Sequence, residues 1–151
     1  MLSPRGHTLT HYERYPRLFD SLEERKTEFL SRLHSPNRKL KYKRYLGTPL
    51  RYAGGKSLAV GLVVELIPNN TRRIVAPFIG GGSVEVACAV ELGLPVVGYE
   101  IFNILSNYWQ VQLRHQEELY QRLRQLAPTR DTFRKVKERL RRHWKENDRM
   151  E

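Results

Sequence analysis

Three consecutive glycines, and an acid about twenty residues beyond the first of them, are the residues of this chain whose types and spacing could do chemistry. Gly80, Gly81 and Gly82 follow a short apolar run that begins with Ile74 and Val75. Lacking Cβ atoms, such a loop can take positive φ and let a ligand approach the backbone. Ser83 is placed to cap a helix from Val84 to about Leu92, among whose small apolar residues sit Glu85 and Glu91, and Gly93 is placed to end it. Pro95 to Tyr99 reads as a second, buried strand with Glu100 at its carboxyl end. In an open α/β sheet, ligands lie outside the carboxyl ends of the strands. The loop and helix start offer N–H groups to a polar ligand. An acid at the distance of Glu100 can accept hydrogen bonds from both ribose hydroxyls. The stretch therefore reads as a unit for a nucleoside-containing cofactor, against the plain alternative of an ordinary glycine loop.

The rest of the chain must position that unit. With 151 residues, 40% of them hydrophobic, there is enough sequence for one domain with a real core. No apolar run approaches the length of about eighteen residues that a transmembrane helix needs, and the first residues lack an apolar signal-peptide core. Cys88 is the single cysteine, which suggests a reducing compartment; its simplest role is as a small buried core residue. The net charge is +11 and is unevenly spread. Residues 1–56 hold 13 Lys/Arg against 5 acids, residues 57–113 hold 2 against 4, and residues 114–151 hold 12 against 7. Flanks this basic suit a polyanion such as DNA or RNA. A solvated basic surface, or one that meets an acidic protein, is the alternative.

Residues 1–19 read as irregular. Ser21 with Glu24 resembles a capping box, and Leu22, Phe29, Leu30 and Leu33 then predict a helix ending near His34 that packs on the core or on a partner. Arg38, Lys39, Lys41, Lys43 and Arg44 follow, interleaved with Tyr42 and Tyr45; such a linker can track a phosphate backbone or simply be solvated. In Pro49-Leu-Arg-Tyr-Ala-Gly-Gly-Lys-Ser57 the glycines Gly54 and Gly55 permit a tight turn, and Lys56 stands before a helix, Ser57 to about Leu66, whose apolar composition predicts burial. The Gly-x-x-x-x-Gly-Lys spacing of a phosphate-binding loop is missing. A lysine there can still pair with a ligand carboxylate. After Glu100, Asn103 to Leu126 reads as one helix. A second, capped by Thr129, runs from Arg130 to about Lys145, with Phe133, Val136, Leu140 and Trp144 along one stripe and Arg134, Lys137 and Arg141 among its cations. The histidines are scattered without metal-site spacing. A division into a basic extension (1–47), a cofactor unit (48–110) and a basic helical region (111–151) follows.

Taken in order, Leu50-Arg-Tyr-Ala-Gly-Gly-Lys56, Pro77-Phe-Ile-Gly-Gly-Gly-Ser83 and Tyr99-Glu100 with Asn107-Tyr-Trp109 resemble the amino-terminal half of a Dam-type (D12 class) adenine-N6 DNA methyltransferase. Pro128-Thr-Arg-Asp-Thr-Phe133 is similar to the entry into that family's target-recognition region, so the resemblance spans about residues 49–142. It implies an α/β, partial Rossmann-like fold with flanking basic helices, S-adenosyl-L-methionine as cofactor, DNA as substrate, and the cytoplasm of a bacterial, archaeal or phage-infected cell. By position, Tyr52, Ala53, Gly54, Gly55 and Lys56 would meet the methionine end of the cofactor. Pro77, Phe78, Gly80, Gly82 and Ser83 would form the loop around it, and Glu100 with Ile101 would stand where the family's ribose-binding acid does. Ala76 replaces the Glu that usually precedes Pro-Phe, and Phe102 replaces an Asn.

The family's chemistry needs an Asp/Asn-Pro-Pro-Tyr segment, whose polar groups bind the adenine amino group while the ring stacks on the flipped base. Among the eight prolines no two are adjacent, so no catalytic residue is assigned in this sequence. A three-stranded remnant would leave an open, apolar sheet edge, which folded proteins rarely tolerate. The expectation is a split enzyme: this chain binds cofactor, and a second chain brings the catalytic segment and the remaining strands. The alternatives are a non-catalytic nucleic-acid-binding or regulatory protein derived from such a half, and a truncated product without function.

Overall fold

The computed structural model describes residues 21–36 and 39–143. Residues 1–19, Arg38, Trp144 and Lys145, on all of which expectations fell, lie outside the described residues. The contacts divide the chain into two compact units, one running to Tyr99 and one beginning at Glu100.

The first unit opens with helix α1 (Leu22–Leu33), started by the capping box the sequence predicts. The Ser21 hydroxyl accepts from the Glu24 N–H, and the Glu24 carboxylate accepts from the Ser21 N–H at 2.7 Å. Leu22, Phe29 and Leu33 bury one stripe of it, and α1 packs on helix α2 (Val60–Leu66) and on the helical turn around Cys88. So α1 belongs to this unit's own core. Only one side of α2 is buried, through Val60, Gly61 and Val64. Leu58, Leu62 and Leu66 are exposed, Leu66 by 81%, which corrects the expectation of a fully buried helix beginning at Ser57. The ring of Tyr42 occupies the place that a side chain on Gly61 would need, so α2 is held by one face only.

Strand β1 (Ile74–Ala76) pairs in parallel with β2 (Val96–Gly98), Ile74 opposite Val96 and Ala76 opposite Gly98. A parallel pair needs a crossover. It is supplied by the glycine loop, helix α3 (Ser83–Val86) and a π-helical turn over Ala87–Glu91. Gly93, at φ 62°, ends this segment as predicted. The cap differs from expectation: Gly82 is the N-cap, at φ 66° and without a side chain to cap with, and Ser83 is the buried first residue of the helix. Alternation along the strands puts Ile74 and Val96 against the core and Val75 and Val97 on the other face. Val75 and Val97 are 52% and 44% exposed, so β2 is half-buried at most, where the sequence predicted a buried strand. Among the described residues the sheet has two strands, not three.

The second unit is helical: α4 (Asn103–Arg114), α5 (Gln116–Gln125) and α6 (Arg130–His143). The single long helix expected here is interrupted at His115, whose φ of −132° leaves the helical region. Leu105 and Trp109 are its buried residues, with the Tyr108 ring set edge-on to Trp109. The Thr129 hydroxyl accepts from the Thr132 N–H at 3.1 Å, so Thr129 caps α6 as predicted.

Candidate functional site

The two glycine-bearing segments of the first unit meet. The Thr48 hydroxyl donates to the Gly81 carbonyl at 2.7 Å, and the Tyr52 side chain lies over Gly81. A Cβ on Gly81 would stand 2.8 Å from the Tyr52 Cβ, so only glycine allows this approach. Gly80 and Gly82 both have positive φ, and the Gly82 N–H donates to the Ile79 carbonyl, closing the loop on itself. The loop is tied to the strand ends: Ile79 N–H donates to Tyr99 carbonyl, and Tyr99 N–H to Ala76 carbonyl. Turn bonds fix the other segment, Gly55 N–H to Tyr52 carbonyl and Ala59 N–H to Lys56 carbonyl.

Between the segments is a cavity of about 320 Å³. Tyr52, Ala53, Gly55 and Ser83 of the predicted site line it, with Gly81 and Ser57. Its volume is at the lower end of the range of small-molecule sites. Gly54, at φ 77°, has nothing within 4 Å of a Cβ built upon it, so the backbone there is open to approach. Thr48, Leu50, Arg44, Tyr45, Leu46 and Arg51 complete the wall and were not predicted there. Only Thr48 carried a usable signal, as a hydrogen-bonding residue just before the Leu50–Lys56 segment.

Other predicted residues stand elsewhere. Pro77, Phe78, Gly80 and Gly82 belong to the loop but do not line the cavity, and Phe78 is 77% exposed. The Lys56 ammonium turns back to the Gly54 carbonyl at 2.9 Å. Glu100 and Ile101 belong to the second unit, where Glu100 Oε1 accepts from the Phe102 N–H at 3.0 Å. The position of Ala76, where a Glu is usual, is a buried strand end.

The basic linker is corrected in one respect. Tyr42 and Tyr45 are 7% and 6% exposed, so neither ring is available to a nucleic-acid base. Tyr45 meets Phe29 edge-on, and its hydroxyl donates to Glu91. Burial, with the Glu91 carboxylate beside it, holds the Tyr45 phenol above its ordinary range. Lys41 pairs with Glu65, whose carboxyl this hydrogen bond lowers. Arg44 donates to the Ser57 hydroxyl at 2.9 Å. Lys39 and Lys43 are exposed, as are Arg134, Lys137 and Arg141 of α6. Burial pushes the Cys88 thiol up to about 11, with Glu85 adding to the shift, so Cys88 is a core residue and no nucleophile.

Among the described residues no group of His, Cys, Asp and Glu is arranged to hold a metal ion, and no helix is long and apolar enough to cross a membrane. What the first unit defines is a small α/β module with a glycine-walled cavity beside the ends of two parallel strands. The model of the D12 class N6 adenine-specific DNA methyltransferase family matches residues 52–151, and the chain belongs to that family. No curated protein and no solved structure matches it.

Proposed function

We propose that this chain is the S-adenosylmethionine-binding subunit of a DNA adenine-N6 methyltransferase, with a Rossmann-like sheet that a second chain completes. The observation that carries the reading is the cavity formed where the Leu50–Lys56 segment packs on the Gly80–Gly82 loop, with family membership beside it. Tyr52 and the Ala53–Gly55 turn hold the methionine end of the cofactor. The glycine loop, with Pro77, Phe78 and Ser83, encloses it, and Glu100 accepts from the ribose hydroxyls. A glutamate does this with one methylene more than an aspartate. The bound cofactor supplies an electrophilic methyl group on a sulfonium; this chain's residues bind it and orient it.

The 151 residues contain no Asp-Pro-Pro-Tyr-type segment, so the groups that would hold the adenine amino group come from outside them. We assign them to a second chain, and the exposed Val75 and Val97 support this, since parallel sheets are ordinarily covered on both faces. The tests are calorimetric titration and methyl transfer. Glu100→Ala should weaken S-adenosylmethionine binding by about 1–3 kcal/mol, the worth of hydrogen bonds to a charged group. Unchanged affinity would remove Glu100 from the site. Methyl transfer to DNA should require both chains, and transfer by this chain alone would refute the split.

A second reading, a non-catalytic nucleic-acid-binding protein, is favoured by Ala76 and by the Glu100 carboxylate already accepting from Phe102. Failure of the chain and of its complex to bind S-adenosylmethionine, with DNA binding intact, selects it.

A further inference from the structure

The cavity carries an assignment that lies outside the family-matched residues. We infer that Arg44 holds the carboxylate of the bound cofactor's amino-acid end. The inference rests on the cofactor reading and adds to it the residue that distinguishes an amino-acid-bearing nucleoside from a bare one.

The wall of the cavity holds two cations, Arg44 and Arg51, and no Asp or Glu. Both side chains are exposed to solvent, and a wall of that sign favours a ligand that brings its own negative charge. Of the two, Arg44 is the one held in place. Its Nη1 donates to the Ser57 hydroxyl, itself in the wall, at 2.9 Å. The backbone on either side is clamped: the Lys43 N–H donates to the Leu33 carbonyl at 2.8 Å, and the Tyr45 N–H to the Ser57 carbonyl at 2.9 Å. The buried Tyr45 ring, edge-on to Phe29, fixes the same stretch from the core side. A guanidinium so placed keeps further N–H groups in a planar fork, the geometry that pairs with a carboxylate through two bonds. Lys56, the lysine that the sequence pattern offers for this task, does not line the cavity, and its ammonium is directed to Gly54.

The experiment compares two ligands on the full chain by calorimetry. S-adenosylhomocysteine carries the amino-acid carboxylate; 5′-methylthioadenosine has the same nucleoside and thioether without it. Arg44→Gln keeps a donor for Ser57 and removes the charge, and its thermal melt confirms the fold. The expected result is a loss of about tenfold or more for S-adenosylhomocysteine with methylthioadenosine held within about twofold, as expected for losing a charged hydrogen bond to one group only. Equal losses for both ligands, or none for either, overturn the assignment. So does a larger selective loss in Arg51→Gln, or an Arg44→Gln variant that weakens DNA binding alone. If wild-type chain binds methylthioadenosine but gains nothing from the amino-acid end, the assignment fails and the cofactor reading stands. If neither the wild-type chain nor its complex with the second chain binds either ligand, both fail together.

Discussion

At the level of single residues, the site depends on what is missing from Gly81 and Gly82. Gly82 sits at φ 66°, where a Cβ costs about 1–2 kcal/mol. Gly82→Ala should therefore lower the stability measured in urea by that amount. Gly81 is a different case. It has no positive φ, and the obstacle is the Tyr52 side chain, 2.8 Å from where its Cβ would be. Gly81→Ala should cost about 1–3 kcal/mol through overpacking, and Tyr52→Ala should relieve it, so the double variant is less damaged than the sum of the singles. Strict additivity would show that the two segments do not press on each other. Glu85, close behind them, adds a pH effect. Burial raises its folded pKa above the unfolded value, so the folded chain holds the proton more tightly. That contribution is present below the unfolded carboxylate pKa and is lost as pH rises through it towards the folded value. Glu85→Gln should raise the melting temperature at neutral pH, with a gain that shrinks as the pH falls through the raised folded value and is gone below the unfolded value of about 4.3. The glycine triplet was legible because few other sequences produce three adjacent positions without side chains. That Gly82, not Ser83, caps the helix was not, since a serine after a glycine suits either arrangement.

At the level of elements, α1 acts as a buttress for the segments around the cavity. The Lys26 ammonium, almost fully buried, donates to the Ile67 carbonyl and to Asn69 Oδ1, just past the last turn of α2. Arg32 reaches the Glu91 carboxylate on the π-helical turn at 2.8 Å, and Glu91 also accepts from Tyr45. One helix thus ties down the end of α2 and the turn that follows α3. Lys26→Met should remove about 1.5–3 kcal/mol of stability, because buried carbonyls at a helix end lose a charged donor. The Cys88 thiol reports it: buried and neutral at pH 8, it should be modified only through opening, and faster in the variant. The capping box and the stripe of Leu22, Phe29 and Leu33 made this helix readable. Its partner was not readable, because periodicity marks a buried face without saying what covers it. The same limit produced the error on α2, where Leu62 and Leu66 have the composition of a core and the exposure of a surface. The break at His115 had no proline or glycine to announce it.

At the level of the whole molecule, positive charge is unevenly spread along the chain. The central stretch, 57–113, has 2 basic residues against 4 acidic, while residues 114–151 have 12 against 7. On α6 the cations surround an exposed stripe of Phe133, Val136 and Leu140. Arg142 pairs with Glu138, and Arg134 lies 3.7 Å from Asp131, a separation that leaves it available to a phosphate. Exposed pairs of this kind contribute little to stability, so replacing these cations should leave the melting temperature nearly unchanged. Their effect belongs to binding. Each phosphate that a cation neutralises releases counterions and adds about 0.9 to the slope of log affinity against log salt. If Arg134, Lys137 and Arg141 each neutralise a phosphate, changing all three to Gln should weaken DNA binding across unrelated sequences and flatten that slope by about 0.9 for every phosphate left without its cation. A slope that stays the same would make this face a solvated surface and place DNA binding on the partner. A loss confined to one sequence would instead give these side chains base edges to read.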